Sequence, residues 1–242
     1  MMYAIQWLRS LAFNAMMYVM MLVYGVLYLP WAIISADGAV AACQQYCRTV
    51  RWLASWMIGL KTEVRGVPPE GEVMIAAKHQ SFLDVIVIYG SVPRGKFIMK
   101  SILKYAPILG WFGLRIGCVP VDRGKRGAAI KRMLSDVSAG KVQGGQLIIY
   151  PQGTRVGPGV KAPYKVGTAA LYGQLDQPCV PVATNIGVFW PKRGVYRKPG
   201  NAVVEFLTPI EPGLESADFM TRLENDIEGH SNRLNAEAGF QV

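Results

Sequence analysis

Histidine is nearly absent from this chain: among 242 residues there are two, His79 and His230. A centre built from several imidazoles is therefore excluded. Cysteine is scarce too, at four residues, Cys43, Cys47, Cys118 and Cys179. The first two are spaced C-x-x-x-C and the others stand alone, so no zinc-type set is completed and no metal site is expected. All four are expected to be reduced, structural thiols, which suits a reducing compartment. Acid is short: 16 Asp and Glu face 26 Lys and Arg, a formal net charge of +10. A surface this basic calls for a negative partner: nucleic acid, an anionic membrane or a phosphorylated substrate. Charge disappears altogether from Ser10 through Ala36. Internal repeats and low-complexity linkers are missing, and the length suits one domain of about 180 to 200 residues with an appendage.

The uncharged run lies between Arg9 and Asp37. It is long enough to cross a bilayer, and too long and too rich in Met, Tyr and Leu for a cleaved signal peptide. Pro30 should end or kink its helix near Leu29. Tyr24, Tyr28 and Trp31 suit a lipid–water boundary. A second segment, Val40 to Leu60, reads as an interfacial helix. Val50, Leu53, Met57 and Leu60 share a face, with Arg48, Arg51, Trp52 and Trp56 off it. The basic cluster Arg48, Arg51, Lys61 and Arg65 places this side toward the cytoplasm. The sequence leaves open whether the first segment spans, dips into one leaflet, or is buried in the protein. The expected division is a membrane-anchoring helical segment over 1–62 and a catalytic domain over 63–242.

From Val67 onward, short apolar runs alternate with longer amphipathic ones, the pattern of an α/β fold with a mostly parallel sheet flanked by helices. Strands are expected at Glu72–Ala77, Lys96–Met99, Gly117–Val121, Gln146–Tyr150, Cys179–Thr184 and Ala202–Leu207. Helices are expected at Phe82–Tyr89, Ile102–Ile116, Gly127–Ser138, Lys165–Tyr172 and Ala217–Ala236. In the last of these, Met220, Leu223, Ile227, His230 and Leu234 fall on one stripe, which makes His230 a packing or capping residue.

His79 follows the apolar run Val73–Ala77, and Asp84 follows five residues later. A histidine leaving a strand stands at the rim of its sheet, where α/β proteins build sites. A carboxylate folded back on it would fix its tautomer for general-base work. Three cations occupy similar places: Lys100 after Phe97-Ile98-Met99, Arg123 after the strand ending at Val121, and Arg155 after Ile149-Tyr150-Pro151-Gln152-Gly153-Thr154. In a parallel sheet these ends share one rim. One base and three cations would then meet, and guanidinium forks suit phosphate. Gly153 would let backbone amides approach an anion.

These stretches resemble the conserved blocks of the glycerolipid acyltransferase family. His79-Gln80-Ser81-Phe82-Leu83-Asp84 resembles its H-x4-D motif, and Val121-Asp122-Arg123 its second block. Pro151-Gln152-Gly153-Thr154-Arg155 resembles its P-E-G-T-R block, and Val180-Pro181-Val182 its fourth. The blocks come in the family's order across roughly Glu63 to Leu207. Two positions depart from the pattern: Lys78 stands where Asn is common, and Gln152 where Glu is usual. A carboxamide still hydrogen-bonds but carries no charge, so Gln152 is neither acid nor base.

The resemblance implies transfer of a fatty acyl group from a thioester to the free hydroxyl of 1-acylglycerol 3-phosphate (lysophosphatidic acid), giving phosphatidic acid. It implies His79 and Asp84 as catalytic residues and Arg123, Arg155 and Lys100 as phosphate ligands. Gln152, Gly153 and Thr154 would position substrate, and Val180, Pro181 and Val182 would shape an acyl pocket. No cofactor is implied; acyl-CoA or acyl-carrier protein is the co-substrate. The partner is an anionic phospholipid membrane, not nucleic acid, with the catalytic domain facing the cytoplasm. The alternatives are a related enzyme with another acceptor (glycerol 3-phosphate or another lysolipid), a hydrolase, and a lipid-binding protein without turnover. The basic loop around Lys192, Arg193, Arg197 and Lys198, with Phe189, Trp190 and Tyr196, is a second candidate membrane contact.

Overall fold

The computed structural model describes residues 2–121 and 144–240, together with 127, 131 and 135. The expected helix over Gly127–Ser138 lies outside them apart from those three positions, and Arg123 lies outside them entirely.

Seven strands among the described residues form one sheet: β1 (Leu60–Arg65), β2 (Met74–Ala77), β3 (Lys96–Lys100), β4 (Val119–Val121), β5 (Leu147–Ile149), β6 (Cys179–Thr184) and β7 (Gly200–Phe206). Their order is β1-β7-β6-β2-β5-β3-β4. β6, β2, β5, β3 and β4 run parallel, β7 runs antiparallel to β6, and β1 lies parallel to β7. The expected α/β class, a mostly parallel sheet flanked by helices, is what the chain forms. The strand missed is β1, whose charged, half-exposed sequence LKTEVR gives no apolar run.

The eight helices described are α1 (Met2–Leu27), α2 (Leu29–Ile34), α3 (Ala36–Ile58), α4 (Leu83–Tyr89), α5 (Leu109–Arg115), α6 (Gly167–Leu175), α7 (Ile186–Phe189) and α8 (Ser216–Glu237). Pro30 starts α2 just after α1 ends, as expected of a residue with no N–H to give a helix interior. Where one helix was expected over Ile102–Ile116, a 3-10 turn at Ser101–Tyr105 is separated from α5 by Ala106-Pro107-Ile108. Pro107 breaks the ladder there.

Alternating side chains of the strands feed two cores. Ile75, Ala77, Ile148, Val180 and Val182 pack with α1, α3, α4 and α7. Met74, Ala76, Leu147, Ile149 and Cys179 pack with α6 and α8. On α8 the buried stripe is Phe219, Leu223, Ile227, Ser231 and Leu234. His230 lies beside it, exposed, with Nδ1 3.3 Å from Glu205 Oε2, so it is not a packed side chain.

The N-terminal helices form part of the first core. Phe13 and Met17 of α1 and Val50, Leu53, Ala54 and Ile58 of α3 are buried in it. The apolar stripe of α3 therefore faces the sheet, which corrects its reading as an interfacial helix. Trp52 and Trp56, stacked at 5.8 Å, are what α3 turns outward. The division expected at residue 62 falls inside β1. Arg197, in the loop before β7, is buried rather than offered to solvent. Its guanidinium lies 4.4 Å over the Trp190 ring, the backbone N–H of Arg197 donates to Ser10 Oγ at 3.0 Å, and burial pulls the side chain's pKa down to about 10.

α1 is held at both ends. Gln6 Nε2 donates to Ile58 O and Arg197 O, each at 2.9 Å. Toward the other end, Tyr24 OH meets Thr49 Oγ1 at 2.7 Å, and Gly25 sits against Ile108 so closely that a Cβ would lie 2.8 Å from its side chain. The opposite face is apolar and uncovered: Leu8, Leu11, Tyr18, Leu22 and Val26 are all exposed.

Candidate active site

β2 is four fully buried residues, and its pairing continues one step past its end, where Lys78 N donates to Val182 O at 2.9 Å. The next residue, His79, is thereby fixed at the rim. The chain then turns so that Gln80 N and Ser81 N both donate to Asp84 Oδ2, at 2.8 and 2.7 Å. Asp84 is in the first turn of α4, where a carboxylate is favoured by the unpaired amides of the helix start. Its other oxygen, Oδ1, is 2.9 Å from His79 Nδ1 and accepts from Tyr150 OH at 3.3 Å. Asp84 is wholly buried, and four donors converge on its two oxygens, the pattern of an acceptor-only carboxylate.

That arrangement sets the histidine's chemistry. With Nδ1–H given to Asp84, Nε2 carries the lone pair and is the nitrogen free to take a proton. The His79 side chain keeps 17% of its exposure, so the ring is reachable while its partner is not. Tyr150 stacks on the ring at 3.9 Å and holds its plane. Burial, reinforced by Asp84, pushes the Tyr150 phenol well up, so it remains a neutral donor. Tyr150 was not singled out from the sequence; the available signal was its place directly before Pro151.

The parallel strands put the expected residues along one edge. Thr184 ends β6, His79 follows β2, Tyr150 and Pro151 follow β5, and Lys100 ends β3. The loop after β5 folds beneath the histidine, with Val156 N donating to His79 O at 2.7 Å. Arg155, the residue before, is half-buried and donates to Lys192 O at 3.2 Å. Lys100 is exposed and lies two strands from β2, about 10 Å at the usual strand spacing. Thr154 is exposed, with Lys192 Nζ 3.5 Å from its hydroxyl.

Gly153 shapes the loop. Its φ of 69° is left-handed, and its amide donates to Tyr150 O at 2.9 Å. It closes the turn with its own N–H, which leaves any amide offered to an anion to come from its neighbours. Gln152 is buried and donates from Nε2 toward Ala162 O at 3.3 Å and Glu228 Oε1 at 3.4 Å. Val180, Pro181 and Val182 lie within β6, paired with β2, and both valines are in the sheet core.

A group that sequence reasoning did not find adjoins the dyad. Lys78, 3% exposed, places Nζ 2.6 and 2.8 Å from the two carboxylate oxygens of Glu228 on α8. Tyr164 OH donates to Glu228 Oε1 at 2.9 Å.

The sequence model of the acyltransferase family matches residues 61–185, more than half of the chain. A 1-acyl-sn-glycerol-3-phosphate acyltransferase of Pseudomonas aeruginosa is 31% identical over 163 residues, covering 66% of this chain and 63% of that protein. One of Saccharomyces cerevisiae is 34% identical over 162 residues, 64% of this chain and 53% of that protein. The chain thus spans less than two thirds of the length of these relatives. The fold is that of the crystal structure of the 1-acyl-sn-glycerophosphate (LPA) acyltransferase PlsC from Thermotoga maritima, with a TM-score of 0.77, 20% identity and 95% of each chain covered. The match runs across β1 to the end of β6 and takes in His79, Asp84 and the loop of Gln152 and Arg155, and the chain belongs to the acyltransferase family.

Proposed function

We propose that this protein transfers a fatty acyl group from a thioester to the free hydroxyl of 1-acylglycerol 3-phosphate, giving phosphatidic acid. The observation that carries the reading is His79 held through Nδ1 by the buried Asp84, with Nε2 left open. The names of the relatives supply the acceptor.

In this reaction the acceptor oxygen attacks the thioester carbonyl as its proton passes to His79 Nε2. Asp84 stabilises the imidazolium that forms. The tetrahedral intermediate collapses, the C–S bond breaks, and the departing thiolate takes the proton back. Thioesters are already activated, so the enzyme needs no covalent intermediate. Arg155, with Arg123 and Lys100, binds the acceptor phosphate, and that grip sets the hydroxyl against the base. Gln152, Gly153 and Thr154, on the loop that carries Arg155, position the substrate. The donor is acyl-CoA or acyl-carrier protein.

The reaction takes place at an anionic membrane surface, with the catalytic domain on the cytoplasmic side. The uncovered apolar face of α1 and the outward Trp52 and Trp56 support this placement. The formal charge of +10 adds attraction to anionic lipid.

The test is formation of labelled phosphatidic acid from labelled 1-acylglycerol 3-phosphate by the purified protein, with each donor in turn. His79→Ala should lower kcat by about 10²–10⁴-fold, the usual worth of general-base help, and leave acceptor binding in place. No product with either donor, or full turnover in His79→Ala, overturns the proposal.

A further inference from the structure

Lys78 is a nearly fully buried cation directly before His79, and its partner Glu228 comes from the far end of the chain. Such a pair is a poor device for stability alone. Desolvating two charges cancels most of their attraction, and apolar side chains of similar size often do as well. Its connections are what set it apart. Lys78 leads out of β2 into His79, and Glu228 Oε1 also receives Tyr164 OH at 2.9 Å and Gln152 Nε2 at 3.4 Å. Gln152 and Tyr164 belong to the stretch between β5 and α6 that includes Arg155. One carboxylate therefore joins the residue before the base to the loop carrying the half-buried arginine. Burial, with help from Glu228, pushes the Tyr164 phenol up, so it stays a neutral donor to that carboxylate.

We infer that Glu228, acting through Lys78 and Gln152, is a positioning residue for acyl transfer that sets His79 and Arg155 at a fixed separation. The inference rests on the acyl-transfer reading above. Its physical basis is that misplacing a base by about 1 Å costs roughly 10²-fold in rate. The carboxylate need not be on the helix for this. Gln152 approaches the same oxygen as Lys78, so an anion at position 152 can meet Lys78 as well.

The test separates position from stability. In the double variant Lys78→Met/Glu228→Gln both charges go at once, so no lone charge is left buried, and the melting temperature should stay near that of the unaltered protein. Its kcat should fall about 10- to 100-fold. Gln152→Glu alone adds a second carboxylate beside Glu228 and should lower kcat similarly. Gln152→Glu/Glu228→Gln, which moves the single carboxylate to the loop, should recover to within about threefold. An unchanged kcat in the folded Lys78→Met/Glu228→Gln protein, or a charge-moved variant no better than Gln152→Glu alone, overturns the inference. An unaltered protein that makes no phosphatidic acid instead removes the acyl-transfer reading itself.

Discussion

At the scale of residues, the His79–Asp84 pair is held because four donors converge on Asp84. Gln80 N, Ser81 N, Tyr150 OH and the imidazole share two oxygens, so the carboxylate cannot turn away from the ring. Tyr150 contributes both a stacked face and one hydrogen bond. Tyr150→Phe keeps the face and loses the bond, at 3.3 Å the longest of the four. Losing one such bond costs about 0.5–1.5 kcal/mol, so kcat should fall by no more than about tenfold. Tyr150→Ala also frees the ring and should approach the loss expected of His79→Ala. Equal activity in the Phe and Ala variants, measured with saturating donor, would show that the stacked ring does not hold the histidine. The partners His79 and Asp84 were legible in the sequence because five residues and a strand end bring them together. Glu228 was not, because it lies 150 residues from Lys78 and nothing local marks it as a partner.

Elements were legible where their apolar residues had a period, and their partners were not. The spacing of Val50 and Leu53 gave α3 a buried face, but spacing cannot say whether lipid or protein covers it. Here the sheet covers it, together with Phe13 and Met17 of α1. β1 went unseen because an edge strand with charged, half-exposed side chains looks like a loop. Pro107 marks the break between the 3-10 turn and α5, which the apolar spacing on either side of it masks. The parallel order, by contrast, followed from the alternation of strands and helices, and it is what gathers the strand ends on one rim. A prediction follows for α1. Phe13 is fully buried, 5.5 Å from Trp190 in an edge-on contact. Phe13→Ala should destabilise the whole domain by about 3–5 kcal/mol, read from denaturant unfolding in detergent by Trp fluorescence. A helix serving only as a membrane anchor would leave that unfolding curve unmoved.

At the scale of the molecule, the question is how an apolar helix can serve the bilayer while belonging to the core. α1 is the one helix among the described residues long and apolar enough to cross a membrane; at 26 residues it extends about 39 Å. Yet Gln6 is tied to Ile58 and Arg197, and Gly25 rests on Ile108. A helix fastened to one domain at both ends cannot carry those ends to opposite faces of a bilayer without tearing these contacts. It lies instead along the domain and leaves uncovered the side formed by Leu8, Leu11, Tyr18, Leu22 and Val26, the face proposed above to meet lipid. Single cysteines at Met2 and Ile34, 84% and 83% exposed, test this directly. The native thiols give little background, because the thiolate is the reactive form. Burial pushes Cys43 up to about 12 and Cys118 up to about 11, and raises Cys47 and Cys179 as well. At pH 7.5, well below those values, they remain protonated. In sealed vesicles, an impermeant maleimide should label Met2→Cys and Ile34→Cys from the same side as a cysteine placed at the exposed Lys192. A spanning helix would expose one of the two and hide the other. Labelling of only one position would mean that the contacts of Gln6 or of Gly25 open in the membrane, and that the first core is built without α1.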